Sequence, residues 1–275
     1  MQDDDTEAGL VEGLERAIAE DHIAPWFQPV MCPNGIELLS AEALPRWDDP
    51  VKGVIPAGVF IEAAIRHGLL GRIGRILVGK SCAAYATWRD RGIAPAHVGV
   101  NFTGAELASG VAVEVIRWAT DAAGIRPDQI SAEVAEDVLD GEGWQARVAA
   151  LRAMHALGVR LCLDDFGSGA CEPANIARAP FSVTKVDRRI VGTLDEDPDS
   201  VDRLKTLVGA AQGAGLAIIA KGVETRAQID ILSGLGCDGQ QGFAIARPMP
   251  EDAFVEWLDL NTWPVAPAEA GLRAG

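Results

Sequence analysis

The sequence predicts a (β/α)8 barrel of the TIM type, an α/β fold, on three observations. Apolar runs of four to eight residues alternate with helical patterns of ten or more, the signature of βα units that feed a parallel sheet. About eight such units fit within 275 residues, and no Gly-x-Gly-x-x-Gly opens the first βα turn, which weighs against an open dinucleotide-binding sheet. Each candidate strand also finishes on a polar group, and in such barrels chemistry sits at the C-terminal strand ends.

The elements follow in order. The first residues, to about Asp5, read as frayed, and Leu10, Val11, Leu14, Ala17 and Ile18 then have helical spacing. WFQPVM from Trp26 and IELLSAEAL from Ile36 read as strands. Pro56 stands where a helix starts, FIEAAIRHGLL follows with helical period, and a second helix covers 73–88. HVGVNF from His97 is a strand, and the helix VAVEVIRWATDAAG closes at Gly124. QISAEVAE is a strand, and GWQARVAALRAMHALG is a helix closed by Gly158. VRLCLDD, FSVTKVD and LAIIAKGVE are strands, with helices over 199–214 and 226–235. A short strand over 240–244 and a helix from Pro250 end the pattern. No Pro/Gly/Ser-rich linker divides the chain. It reads as an N-terminal tail with lead-in helix (1–22), one barrel domain (23–260) and a loose C-terminal tail (261–275).

Composition bounds the function. There are 24 Lys and Arg against 40 Asp and Glu, giving a net charge of −16. That balance argues against a nucleic-acid polymer as main partner, since gripping one needs a basic face, and against a polybasic membrane binder. At 48% hydrophobic residues the chain can build a core, unlike a disordered segment. The five cysteines, Cys32, Cys82, Cys162, Cys171 and Cys237, form no Cys-x-x-Cys pair and suit a reducing cytosol. The acidic N-terminus is no secretory signal, and no apolar run approaches the roughly 20 residues of a membrane helix. The expectation is a soluble cytoplasmic protein.

The strand ends present Glu42, Asn101, Glu133 with Glu136, Asp164 with Asp165, Lys185 with Asp187, Lys221 with Glu224, and Gln240 with Gln241. Taken singly, each is ordinary cap, turn or salt-bridge chemistry. Recurrence at one end of successive strands is what singles them out. Many buried carboxylates are costly unless cations relieve them. Oxygen donors without clustered His or Cys suit Mg²⁺, Mn²⁺ or Ca²⁺ rather than zinc. Adjacent Asp164 and Asp165 at a strand break suit two ions close together, the arrangement of two-metal phosphodiester hydrolysis, with a lysine such as Lys185 to stabilise developing charge. Composition and spacing carry the reading that far.

The motifs at these positions resemble the EAL-domain family of cyclic di-GMP phosphodiesterases. They run in order: FQP at 27–29, EALPRW at 42–47, VNFT at 100–103, EVAE at 133–136, DDFGSG at 164–169, KVDR at 185–188, GVET at 222–225, GCD at 236–238 and QGF at 241–243. The resemblance implies a TIM-like barrel with one antiparallel strand, cyclic di-GMP as ligand, and two Mg²⁺ or Mn²⁺ ions. It implies Glu42, Asn101, Glu133 and Asp164 as ligands of the first ion and Asp165 as a ligand of the second. Lys185 resembles the lysine that contacts the attacking water, and Asp187 supports that cluster. Arg46 resembles the phosphate-gripping arginine, Gln241 and Glu224 line the site, and Glu136 braces the loop after the DDFG strand. A homodimer or a signalling protein are the further partners it implies.

Two departures stand out. Where the family has Ala-Glu-Gly-Val-Glu-Thr, this chain has Ala220-Lys221-Gly222-Val223-Glu224-Thr225. The replaced glutamate is tied, in the family, to the second metal and its activated water. An ammonium about 4 Å from a dication is repelled by on the order of 8 kcal/mol at an effective dielectric of 20, before relaxation. The expectation is a poor second metal site and weak or absent hydrolysis with nucleotide recognition retained. The alternatives are an active phosphodiesterase yielding the linear dinucleotide pGpG, with Lys221 turned outward, and a protein-interaction scaffold without nucleotide. The second departure is the loop Gly167-Ser168-Gly169-Ala170-Cys171-Glu172-Pro173-Ala174-Asn175-Ile176, which lacks the family's aromatic and several serines while keeping a hydroxyl at Ser168.

Overall fold

The computed structural model describes residues 2–33, 35–170 and 173–261; Cys171, Glu172 and the tail from 262 onward lie outside it. Helix α1 (Gln2–Ala19) leads into β1 (Ile23–Met31), β2 (Leu38–Asp49) and β3 (Gly53–Pro56), then α2 (Ala57–Arg66) and α3 (Leu70–Asp90). Next come β4 (Val98–Asn101), α4 (Gly104–Ala108), α5 (Val111–Ala123), β5 (Ile130–Ala135), α6 (Trp144–Ala156) and β6 (Arg160–Phe166). The chain continues through β7 (Val183–Val186), α7 (Arg188–Val191), α8 (Pro198–Gly213), β8 (Ala217–Lys221), α9 (Arg226–Gly234), β9 (Gly239–Gln241) and α10 (Glu251–Leu260). Among the described residues no helix is long and apolar enough to cross a membrane.

The strands pair in the order β1-β9-β8-β7-β6-β5-β4-β2-β3, and β1 also pairs with β2, so eight strands close a barrel with β3 outside it. Strand β1 runs antiparallel to both neighbours, while β2 and β4 through β9 are mutually parallel. The expected TIM-like barrel with one antiparallel strand is therefore what the chain forms. Helices α3, α5, α6, α8 and α10 bury their apolar faces around it, with Trp88, Ile116, Leu151, Leu204 and Phe254 fully or almost fully enclosed. Inside the barrel, Val30, Cys32, Leu39, Cys162, Val183, Ala217 and Ile219 make an apolar plug. On β6, β7 and β8, period-2 alternation sets Asp164, Lys185 and Lys221 one step above that plug, on the same face as Cys162, Val183 and Ile219.

Three local features depart from the sequence expectation. Helix α1 begins at Gln2 rather than after Asp5. The 57–70 pattern breaks at Gly68, whose φ of +69° a glycine adopts without strain, separating α2 from α3. Strand β2 runs on past its last pairing with β4 at Ala43, to Asp49, held there by β1 on one side and the unpredicted β3 on the other. A second apolar cluster, Leu14, Ile23, Trp47, Phe60 and Ile73, anchors α1, α2 and α3 to this projecting arm.

Several motif residues do structural work. Thr103 and Thr225 close capping boxes with Glu106 and Gln228 at the starts of α4 and α9. Asp238 accepts the Ile218 N–H at 2.9 Å, tying the start of β8 to β9.

His97, just before β4, is buried with its Nδ1 lacking a hydrogen-bond partner. Burial pulls its imidazolium down from 6.5 to about 3. Between those values the unfolded chain binds a proton that the folded chain refuses, so stability is present above pH 6.5 and lost as pH falls. Denaturant titrations are expected to show a loss of about 2 kcal/mol from this group between pH 7 and pH 5, a loss that His97→Leu removes.

Candidate active site

The polar layer at the barrel mouth is built on two lysines, one buried and one partly exposed. Lys185, from β7, is 1% exposed. Its Nζ donates to Glu42 Oε2 at 2.7 Å and to Glu133 Oε2 at 2.5 Å, joining β2 to β5 through the lumen. Asn101 Nδ2 donates to Glu42 Oε1 at 3.0 Å, and Gln241 Nε2 donates to Glu42 Oε2 at 2.8 Å. Burial alone would raise the Glu42 carboxyl, but Lys185, Lys221 and Asn101 outweigh it and hold it at about 2. Glu133 goes the other way, to about 8, through burial and the neighbouring Glu42 charge. One ammonium shared by two carboxylates leaves the second short of compensation. Burial would likewise depress Lys185, and Glu133 and Glu42 reverse the direction to well above its ordinary value.

The second lysine is Lys221, at the end of β8. Its Nζ donates to Asp164 Oδ1 and Asp165 Oδ1, each at 2.6 Å. Asp165 sits at φ +53°, an uncommon conformation for a non-glycine residue, where β6 shifts register against β7. The ammonium thus stands between the two aspartates, and their charge raises its pKa against the opposing effect of burial.

Other predicted residues lie around this layer. Glu136 accepts from Gly167 N at 3.0 Å, Ser168 Oγ at 2.6 Å and Ala170 N at 3.2 Å, so it braces the start of the loop after β6. Asp187 turns away from the lysines: it caps α7 through Arg189 N at 2.8 Å and pairs with the Arg189 guanidinium. Glu224 is exposed at the head of α9, its backbone N–H donating to Gln228. Arg46 lies on the projecting arm, 5.7 Å above the Trp26 ring, with Nη1 bonded to Pro45 O. The structure therefore brings Glu42, Asn101, Glu133, Asp164, Asp165, Lys185, Lys221 and Gln241 together, sets Glu136 behind them, and leaves Asp187, Glu224 and Arg46 outside that hydrogen-bonded layer.

Whether the layer suits a metal divides in two. Four carboxylates face two ammoniums, a formal surplus of two negative charges. Burial raises the proton affinities of Glu133 and Asp164, and the neighbouring carboxylates add to the rise. Oxygen donors from Glu42, Asn101, Glu133 and Asp164 on adjoining strands fit one hard dication. A second, resting on Asp165, does not fit, because Lys221 already stands between Asp164 and Asp165. Among the described residues no three acidic, His or Cys side chains are arranged as they stand to hold an ion. The lysines account for this, since they draw the carboxylate oxygens onto themselves.

Comparison with known proteins places this barrel. The EAL domain model matches residues 11–248. The chain belongs to the EAL domain family. It is 32% identical over 247 residues to the bifunctional diguanylate cyclase/cyclic di-GMP phosphodiesterase MucR of Pseudomonas aeruginosa, covering 90% of this chain and 36% of that protein. It is 32% identical over 248 residues to the cyclic di-GMP phosphodiesterase PdeR of Escherichia coli, covering 90% of this chain and 37% of that protein. The chain thus spans little more than a third of the length of these relatives. A solved PaMucR phosphodiesterase in its c-di-GMP complex superposes with a TM-score of 0.84 at 31% identity, covering 90% of this chain and 99% of that one.

Within this EAL domain, residue-by-residue reading overlooked three positions. Gln28 of the FQP motif is buried opposite Glu42 on β1; its Oε1 accepts from Gln241 Nε2 at 3.3 Å, and its Nε2 donates to Ala246 O. The strand register was the signal, because lumen-facing positions alternate. Gly242 is the glycine of QGF. A Cβ there would lie 2.1 Å from Val223 O and 2.2 Å from Val223 N, so the motif glycine lets the end of β9 meet the GVET loop. Arg189, partner of Asp187, had no motif to mark it.

Lys185→Met would leave Glu42 and Glu133 buried without their shared cation. Chemical denaturation is expected to show a loss of about 3–5 kcal/mol at neutral pH. Adding Glu133→Gln to that variant should recover part of it, because one of the two opposed carboxylates is gone.

Proposed function

We propose that this EAL domain recognises cyclic di-GMP at the barrel mouth and hydrolyses it weakly or not at all. The observation that carries the reading is the Lys221 ammonium between Asp164 and Asp165. Lys221 already neutralises the aspartates that a second dication would need. To bind there, an ion must displace two charge-assisted hydrogen bonds and overcome the repulsion of a fixed ammonium.

Recognition rests on what is retained. Glu42, Asn101, Glu133 and Asp164 would hold one Mg²⁺ or Mn²⁺, which when bound supplies charge neutralisation to a phosphate oxygen. Gln241 Oε1 is buried and lacks a donor, an acceptor suited to a ligand N–H or O–H. Arg46 is the guanidinium placed on the arm above the mouth, where it suits a phosphate. The similarity to the cyclic di-GMP phosphodiesterases, and to a structure bearing that ligand, supports the choice of ligand. A bound dinucleotide would meet Lys221 as a donor to its phosphates once the aspartates yield.

A second reading, an active phosphodiesterase, is favoured by Lys185, which is buried and fully charged at the centre of the layer. Purified protein assayed for linear dinucleotide with Mg²⁺ and with Mn²⁺, beside Lys221→Glu, separates the readings. The expected result is nucleotide binding with little turnover, and at least a tenfold rise in turnover for Lys221→Glu. Robust wild-type turnover that Lys221→Glu does not improve would overturn the proposal. Absence of binding under every metal condition would leave the scaffold reading.

A further inference from the structure

Glu133 occupies space that no other EAL-site carboxylate here occupies. A Cβ on Gly99 would lie 2.1 Å from Glu133 Oε1 and 2.9 Å from Glu133 Cδ. Both distances are far inside van der Waals contact, so this side-chain position exists only because residue 99 is glycine. Gly99 lies two residues before Asn101 on β4, on the same face, and Asn101 pairs in register with Glu133. The Glu133 carboxylate has therefore turned one step down the lumen, beneath the layer of Asn101 and Asp164. There it takes the 2.5 Å bond from Lys185.

We propose that Gly99 provides a niche into which Glu133 retracts, and that a divalent cation at the mouth must draw it out, breaking its bond to Lys185. The inference rests on the reading that Glu133 belongs to the first metal's donor set. It adds that this donor has two positions and that residue 99 sets the balance between them. Gly99 is thus a positioning residue: it acts through Glu133 and touches no ligand. Two consequences follow from the geometry. The retracted position competes with metal, so the cation binds more weakly than the donor set alone allows. Metal binding also leaves Lys185 with Glu42 alone, which alters the charge around the buried ammonium by one carboxylate.

The test needs no turnover. Mn²⁺ is titrated into nucleotide-free protein by calorimetry, for wild type, Gly99→Ala and Glu42→Gln. Filling the niche is expected to tighten Mn²⁺ binding by three- to tenfold, and Glu42→Gln to abolish it. Unchanged or weaker affinity in folded Gly99→Ala overturns the niche. The wild type supplies a variant-free readout: crystals grown without and with Mn²⁺ are expected to show the carboxylate against Gly99 in the first and swung away in the second. A carboxylate in the same place in both overturns the inference, as does one already away from Gly99 without metal. Mn²⁺ binding that survives Glu42→Gln would instead strike at the donor set. The crystals without metal then judge the niche alone.

Discussion

The barrel mouth depends on one constraint: carboxylates taken out of water need positive charge within hydrogen-bond reach. An isolated buried carboxylate would take up a proton rather than stay charged. Here three buried ones, Glu42, Glu133 and Asp164, and the half-exposed Asp165 stay together because two ammoniums alternate with them, and Glu133, the least compensated, has its proton affinity raised to about 8. Lys185 spans from β7 to β2 and β5, and Lys221 spans from β8 to β6. Those bridges cross the lumen above the apolar plug, so the polar layer acts as a brace between strands that do not pair with one another. The rest follows from that arrangement. Asn101 and Gln241 are oriented by Glu42, and Gln28 is oriented by Gln241.

Much of this was legible in the sequence because barrels convert periodicity into position. Seven short apolar runs ending in polar residues already state which side chains meet, since parallel strands end at one rim. Glu42, Asn101, Glu133, Asp164 and Gln241 stand out in that way, and Lys221 stands out against the motif pattern that the chain resembles. What the sequence did not show was rotamer and register. The direction of the Asp187 carboxylate depends on Arg189, two residues on, competing with the lumen for it. Glu224 lies past the end of β8, where the strand rule no longer fixes a direction. The β3 hairpin was hidden because Gly53–Pro56 is too short and too exposed to carry a period, and is formed by its pairing with β2. Gly99 was invisible for a different reason. A glycine in a strand marks close approach by something, but only the structure says that it is the Glu133 carboxylate.

In the proposed reading, the same constraint explains how a lysine at 221 satisfies the fold while opposing the chemistry. For the fold, the need at the β6–β8 gap is a cation near Asp164 and Asp165. An ammonium with three donors meets it with two short, charge-assisted hydrogen bonds. It comes on the chain, so no ion has to be captured from solution to relieve the aspartates. For phosphodiester hydrolysis the need is different. A dication in such a position lowers the pKa of a water and polarises a phosphoryl oxygen, whereas an ammonium supplies charge and donors only. An anionic phosphate can still be met by that charge, since donors suited to a carboxylate also suit a phosphate. In the proposed reading the substitution therefore separates two properties that a metal provides together. It keeps the electrostatic attraction that holds a dinucleotide and removes the activation of the attacking water.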